Sequence, residues 1–185
     1  MSKKYCAKVL LGSKVIGVLL LSTAYADVTY TTSKGAVFRQ IQGPSSFGKA
    51  WEDPTGMLWS ANYNGNYANY AIKPDQNKII IDSPATEACT SIGGSLPSIE
   101  DYKKLDSYFD MDKNQRLTDQ GRKDMFAIFA DMKDRSFWSS SVDKDGDDVT
   151  WLYLGDNGFV PYNYGFRDTQ AQIRCVVQKT SILNL

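Results

Sequence analysis

Two stretches of this sequence concentrate side chains that stack against a ligand and hydrogen-bond to it. The first runs Asn62-Tyr63-Asn64-Gly65-Asn66-Tyr67-Ala68-Asn69-Tyr70, with rings at Tyr63, Tyr67 and Tyr70. The second, residues 155–168, holds Asp156, Asn157, Tyr162, Asn163, Tyr164, Arg167 and Asp168 among glycines. Aromatic faces stack on the apolar faces of sugars or pack in protein interfaces, while amides, carboxylates and a guanidinium supply directed hydrogen bonds. That is the chemistry of recognition. Tyr and Asn are also common in polar loops that lie over a core, so packing alone is the competing explanation.

Catalytic chemistry is poorly served. The 185 residues include no His, which excludes Ser-His-Asp and Cys-His arrangements, the commonest neutral-pH base and the usual His-bearing zinc sites. Two of the 21 Asp and Glu residues could converge as in a glycoside hydrolase, but the sequence singles out no pair. The expectation is a protein that is not an enzyme and carries no cofactor. Asp110-Met111-Asp112-Lys113-Asn114 begins like a calcium loop, with Thr118 at a ninth position. Gln115 stands where that loop needs Gly, however, and Gly121 where it needs a bidentate Glu. The acidic run 143–148 admits weak calcium, not favoured, because exposed Asp and Gly are expected in a hairpin turn anyway.

The first 26 residues read as a secretory leader. Lys3, Lys4, Lys8 and Lys14 precede an apolar run from Val15 to Leu21, and Ala24-Tyr25-Ala26 is a small-x-small cleavage site. The run is too short to span a bilayer, so no transmembrane segment is expected once the leader is removed. An uncleaved anchor is the alternative. Cys6 precedes the apolar run and so does not read as a lipid-attachment cysteine. The leader carries four of the 21 basic residues and none of the 21 acids, so the remaining 159 residues hold 17 against 21, a net charge of −4. This speaks against nucleic acid as a partner and leaves an anion only a local patch. Export also leaves two cysteines, Cys89 and Cys175, which are expected to pair in an oxidising compartment, with buried free thiols as the alternative. A bridge closing so long a loop would stabilise the fold by about 4 to 5 kcal/mol in the loop-entropy account.

The elements that must position these residues follow from local signals. Residues 27–49 read as a tether or peripheral strand, and Trp51 to Trp59 as a tight hairpin around a Pro/Gly turn. Lys78 to Ile81 is a short β-branched run. Ser83-Pro84 opens a helix whose inward side is Ala85, Ala88, Cys89 and Ile92, and Gly93-Gly94 closes it. Ser98, with Asp101 three residues on, caps a second helix with Ile99, Tyr102, Leu105 and Phe109 on one face. A third helix is expected within 110–136, carrying Met125, Phe126, Ile128, Phe129 and Met132. Strands follow at 137–142, 149–154 and 173–178, the first two joined by the 143–148 turn. Helices before an antiparallel sheet indicate an α+β domain over 50–185. No internal repeat or heptad appears.

Several landmarks in order resemble a known family. Asp53, Gly56, Met57, Leu58 and Trp59 open the pattern, followed by Cys89, Leu96-Pro97-Ser98 and Glu100. Phe137-Trp138-Ser139-Ser140-Ser141, the strand Trp151 to Leu154, and Arg174-Cys175-Val176 close it. This set is similar to the Lcl C-terminal-like domain, a bacterial branch of the C-type-lectin-like fold, over about residues 50–178. Ser95 stands where many relatives carry Arg. The resemblance implies two to three helices on a small twisted antiparallel sheet with long loops, and a disulfide from the first helix to the last strand. It also implies function in the loops. Relatives include adhesins that bind sulfated polysaccharide, a transfer that the acidic balance of this chain weakens. The sites of calcium-dependent sugar binding resemble a Glu-Pro-Asn or Gln-Pro-Asp loop with a nearby Trp-Asn-Asp, neither of which occurs here, and Lys73-Pro74-Asp75 precedes the helices, in the wrong part of the fold.

The expectation is an exported, non-catalytic recognition module, periplasmic, cell-surface or extracellular, that binds a glycan or a cell-surface protein and acts in adhesion. A structural component of the envelope or of a surface fibre is the alternative, and the oligomeric state stays open.

Overall fold

The computed structural model describes residues 28–69, 83–142, 149–158, 164–166 and 170–178. The leader, the Lys78 to Ile81 run and the 143–148 turn lie outside them.

Among the described residues, ten strands and three α-helices follow one another. β1 (Val28–Thr31), β2 (Val37–Gln42), β3 (Lys49–Glu52), β4 (Met57–Ser60) and β5 (Asn66–Tyr67) come first. α1 (Pro84–Ser91), α2 (Ile99–Asp106) and α3 (Asp119–Ile128) follow. β6 (Ser136–Val142), β7 (Val149–Leu154), β8 (Tyr164–Phe166), β9 (Ala171–Gln172) and β10 (Val176–Gln178) complete the fold. The architecture is α+β with two small, mainly antiparallel sheets, ordered β1-β2-β3-β4-β10 and β5-β9-β6-β7-β8. The contact between β6 and β9 is parallel.

The helices start where hydroxyls can cap them. Ser83 accepts from the Thr86 amide, and Ser98 and Asp101 form a reciprocal capping box. α1 ends in a Schellman arrangement: Gly94 N–H donates to Cys89 C=O and Gly93 N–H to Thr90 C=O, with Gly93 at φ 79°. α3 begins earlier than the apolar residues suggested, at Thr118, whose hydroxyl accepts from the Gly121 amide. It also stops earlier: Phe129 leaves helical geometry (φ −125°, ψ 73°), and Met132 belongs to a separate 3-10 turn, Ala130–Met132.

The first sheet divides the core. Phe38, Trp51, Met57, Trp59 and Val176 pack with Tyr102, Leu105, Phe109, Met125, Phe129 and Tyr153. Ala50, Leu58 and Val177 point the other way, toward Ala85, Cys89, Trp138, Ile173 and Cys175. This follows from the pleat, because alternate residues of β3, β4 and β10 face opposite sides. Residues 28–42 form a hairpin at the edge of this sheet. Phe38 is fully buried, and Tyr30 Oη donates to Asp124 of α3 at 2.8 Å.

The Asp-x-x-Gly-x-x-Trp pattern has a physical content. Asp53 is buried, and its Oδ1 accepts from Thr55 N, Thr55 Oγ1 and Met57 N while its Oδ2 accepts from the Trp59 indole at 3.1 Å. One carboxylate thus closes the β3–β4 turn and fixes a core tryptophan. Gly56, at φ 84°, supplies the left-handed residue that this turn needs.

Cys89 and Cys175 are bonded, as expected, and join α1 to the segment entering β10 across 86 positions. The expected strand 173–178 is shorter than its composition suggests. Residues 173–175 are the passage from β9 in one sheet to β10 in the other, and Ile173, Arg174, Cys175, Val176 and Val177 are all buried. Among the described residues no helix is long and apolar enough to cross a membrane.

Candidate functional site

The link from β4 to β5 carries Tyr63 and is tied down at its base. Ser60 Oγ donates to Asn64 Oδ1 at 2.6 Å, the same oxygen accepts from Cys175 N at 3.0 Å, and Asn64 N donates to Ile173 C=O at 2.7 Å. Tyr63 N then donates to Asp131 Oδ2 at 2.5 Å. The other oxygen of Asp131 accepts from Arg174, a fully buried residue whose guanidinium also donates to Ser60 C=O. That guanidinium lies over Phe129 at 4.7 Å, and its Nε finds no acceptor. Burial lowers the proton affinity of Arg174, and the charge of Asp131 opposes that shift.

On the outer side, the Arg135 guanidinium stacks on the Tyr63 ring at 4.4 Å from its centroid. Tyr63 is 36% exposed, and among the described residues it is the exposed large aromatic. The carbonyl of Arg135 accepts from Gly155 N at 3.0 Å, which brings the turn after β7 to the same end of the domain. Position 155 admits no side chain, since a Cβ there would lie 2.2 Å from the Met132 carbonyl oxygen. In that turn Asp156 and Asn157 are half-buried, and Asn157 C=O accepts from Leu117 N at 3.1 Å. Asn157 Nδ2 reaches Asp156 Oδ1 at 3.4 Å.

Three segments therefore meet at this end: 61–65, 130–135 and 155–158. Of the residues expected to bind, Tyr63 stands here, while Asp156 and Asn157 follow Gly155 in the turn that bonds to Leu117. Tyr67 is half-buried against the cluster around the disulfide, its ring close over Gly65, where a Cβ would stand 2.9 Å from it, and its carbonyl accepts from the Trp138 indole at 2.8 Å. Tyr164 belongs to β8, paired in register with Trp151. Tyr70, Tyr162, Asn163, Arg167 and Asp168 lie outside the described residues. Asp131 and Arg135 escaped the sequence reading because they sit in a charged stretch without periodicity. Their partners are far away in the chain.

Among the described residues no group of three or more Cys, Asp or Glu side chains is placed to hold a metal ion. The carboxylates of the 110–118 loop serve the loop itself. Asp110 Oδ2 accepts from Thr118 Oγ1 at 2.6 Å, and Asp112 Oδ1 accepts from the amides of Asn114 and Arg116. The bond from the Arg116 amide leads the causes that hold Asp112 below the usual carboxylate range. The 143–148 turn lies outside the described residues. Comparison of the chain with protein-family models, curated proteins and solved structures finds no match.

Proposed function

We propose that the chain is an exported, non-catalytic recognition module of C-type-lectin-like type that binds a glycan or a cell-surface partner through the end bearing Tyr63. The observation that carries this reading is the exposed Tyr63 ring, held by Arg135 at its face and by Asp131 at its amide. An exposed ring fixed at both points is a preformed stacking platform, which binds at a lower ordering cost than a mobile one. The lectin-like assignment draws support from the two capped helices, the bridge from α1 to the approach of β10, and the two small sheets. The leader-like segment and the pairing of the two remaining cysteines support export.

A glycan array probed with the disulfide-bonded protein, with and without chelator, tests the reading. Tyr63→Ala should lower binding about tenfold while leaving the melting temperature unchanged. Unchanged binding would move the binding surface away from Tyr63, and no binding at all would favour an assembly role. That second reading draws on the exposed Val28 and Val37 of the edge hairpin, and sedimentation would reveal it as self-association.

A further inference from the structure

We propose that Arg135 is a carboxylate receptor, and that the ligand of the Tyr63 platform is an acidic sugar of the uronic-acid class. The inference rests on the recognition reading above and names its substrate class.

A guanidinium is a flat cation whose five N–H donors lie in its plane, so stacking on a ring uses a face and leaves the donor edge available. Arg135 places its Cζ 4.4 Å from the centroid of the Tyr63 ring. Two other arginines spend their terminal donors within the fold. Arg174 donates to Ser60 C=O and Asp131, and Arg122 donates to Leu117 C=O and Asp119. Among the described residues Arg135 has no such acceptor.

Nearby carboxylates do not neutralise it. Both oxygens of Asp131 are engaged, by Arg174 and by Tyr63 N. Asp156 has Asn157 as its contact. Asp134, next to Arg135 in the chain, is exposed with φ 56° and makes no ion pair among the described residues. The result is a half-buried, oriented cation with a free donor edge beside an exposed aromatic ring. A planar carboxylate can accept two parallel N–H bonds from such an edge, and the sugar ring that bears it can lie against Tyr63. A neutral sugar offers only the second contact. A sulfate ester also offers paired oxygens to the fork, so the sulfated trisaccharide below is the arm that separates the two anions.

The test uses the full chain with its disulfide intact. Calorimetry compares trigalacturonate, its fully methyl-esterified form, a sulfated neutral trisaccharide and a Glu-rich peptide. The expected result is that trigalacturonate binds about tenfold more tightly than its ester, which keeps the shape and removes the charge. Arg135→Gln should abolish that preference, weakening binding of the acid more than that of the ester, which loses only the support Arg135 gives the Tyr63 ring. Arg135→Lys keeps the charge without the fork, should retain an intermediate preference, and serves if the Gln variant fails to fold. Equal binding of acid and ester, with Tyr63→Ala weakening both, would overturn the carboxylate assignment and leave the recognition reading standing. Tighter binding of the sulfated sugar or the peptide would also overturn it. If no sugar binds here or on the glycan array, the glycan form of the recognition reading falls and the inference falls with it.

Discussion

Asp131 holds the buried Arg174 with one carboxylate oxygen and the backbone amide of Tyr63 with the other. A single side chain in a 3-10 turn thus links a charge inside the core to the loop that presents an aromatic ring. Arg174 is fully buried and the Asp131 side chain is 20% exposed, so the pair is anchored inside and reached from outside. Asp131→Asn should cost about 3 kcal/mol, because it strips a buried cation of its counter-charge. Denaturant unfolding measures that cost. Hydrogen exchange at the Tyr63 amide should accelerate in the same variant, and an unchanged exchange rate would mean that the loop is held by other contacts.

Asp53 gathers four donors, so its removal should be felt across the β3–β4 hairpin. Asp53→Ala is expected to lose about 2 to 4 kcal/mol, since buried N–H groups left without acceptors retain their desolvation cost. Asp53→Asn keeps one oxygen and should fall between. The readout is urea unfolding followed by tryptophan fluorescence, which also reports the released Trp59 indole. A ranking with Asn worse than Ala would contradict this account.

Acid should weaken the attachment of the edge hairpin to α3. Burial disfavours the ionised Asp124, but hydrogen bonds from Ser33, Tyr30 and Gln120 outweigh it and hold its carboxyl below the usual range. A carboxylate with a depressed folded value stabilises at pH above its unfolded value of about 4, and that contribution is lost as pH falls through the folded value. Stability measured by urea midpoint should therefore decline below about pH 4, and Asp124→Asn should flatten that decline. An identical pH slope in the variant would assign the acid sensitivity to other groups.

The Cys89–Cys175 bond closes a long loop between two fully buried sulfurs. Replacing both with Ser should reduce stability by about 4 to 5 kcal/mol on the loop-entropy account. Unfolding curves of the parent with and without reductant provide an independent value for the same bond. A loss below about 1 kcal/mol would show that the unfolded chain is already restrained by residual structure.

The parts of this fold that were legible in the sequence are those set by neighbours in the chain. Ser83, Ser98 with Asp101, and Gly93-Gly94 mark helix ends because capping is a matter of three or four residues. Phe129 and Met132 read as part of the third helix because, with Met125 and Ile128, they keep a helical spacing through a bend at Phe129 that no local signal announces. Residues 173–178 read as one strand because a run of buried residues looks alike whether it pairs or crosses between sheets. At the candidate site the ring of Tyr63 could be named from composition. Its supports could not, since Asp131 lies 68 positions from Tyr63 and 43 from Arg174, and a charged stretch carries no mark of which charge turns inward.

The position of β10 beside β4 bears on how the molecule can be made. Arg174 and Ser60, bonded across 114 positions, and the sulfurs that join α1 to the same region all require chain synthesised late. A nascent polypeptide emerging from a ribosome or a translocation channel can cap its helices and close its first hairpins, but it cannot complete its central sheet until that late stretch arrives. Until then Leu58 and Trp59 lack their neighbours across the gap, which makes the interval before completion the time when a chaperone or an oxidase has most to act upon.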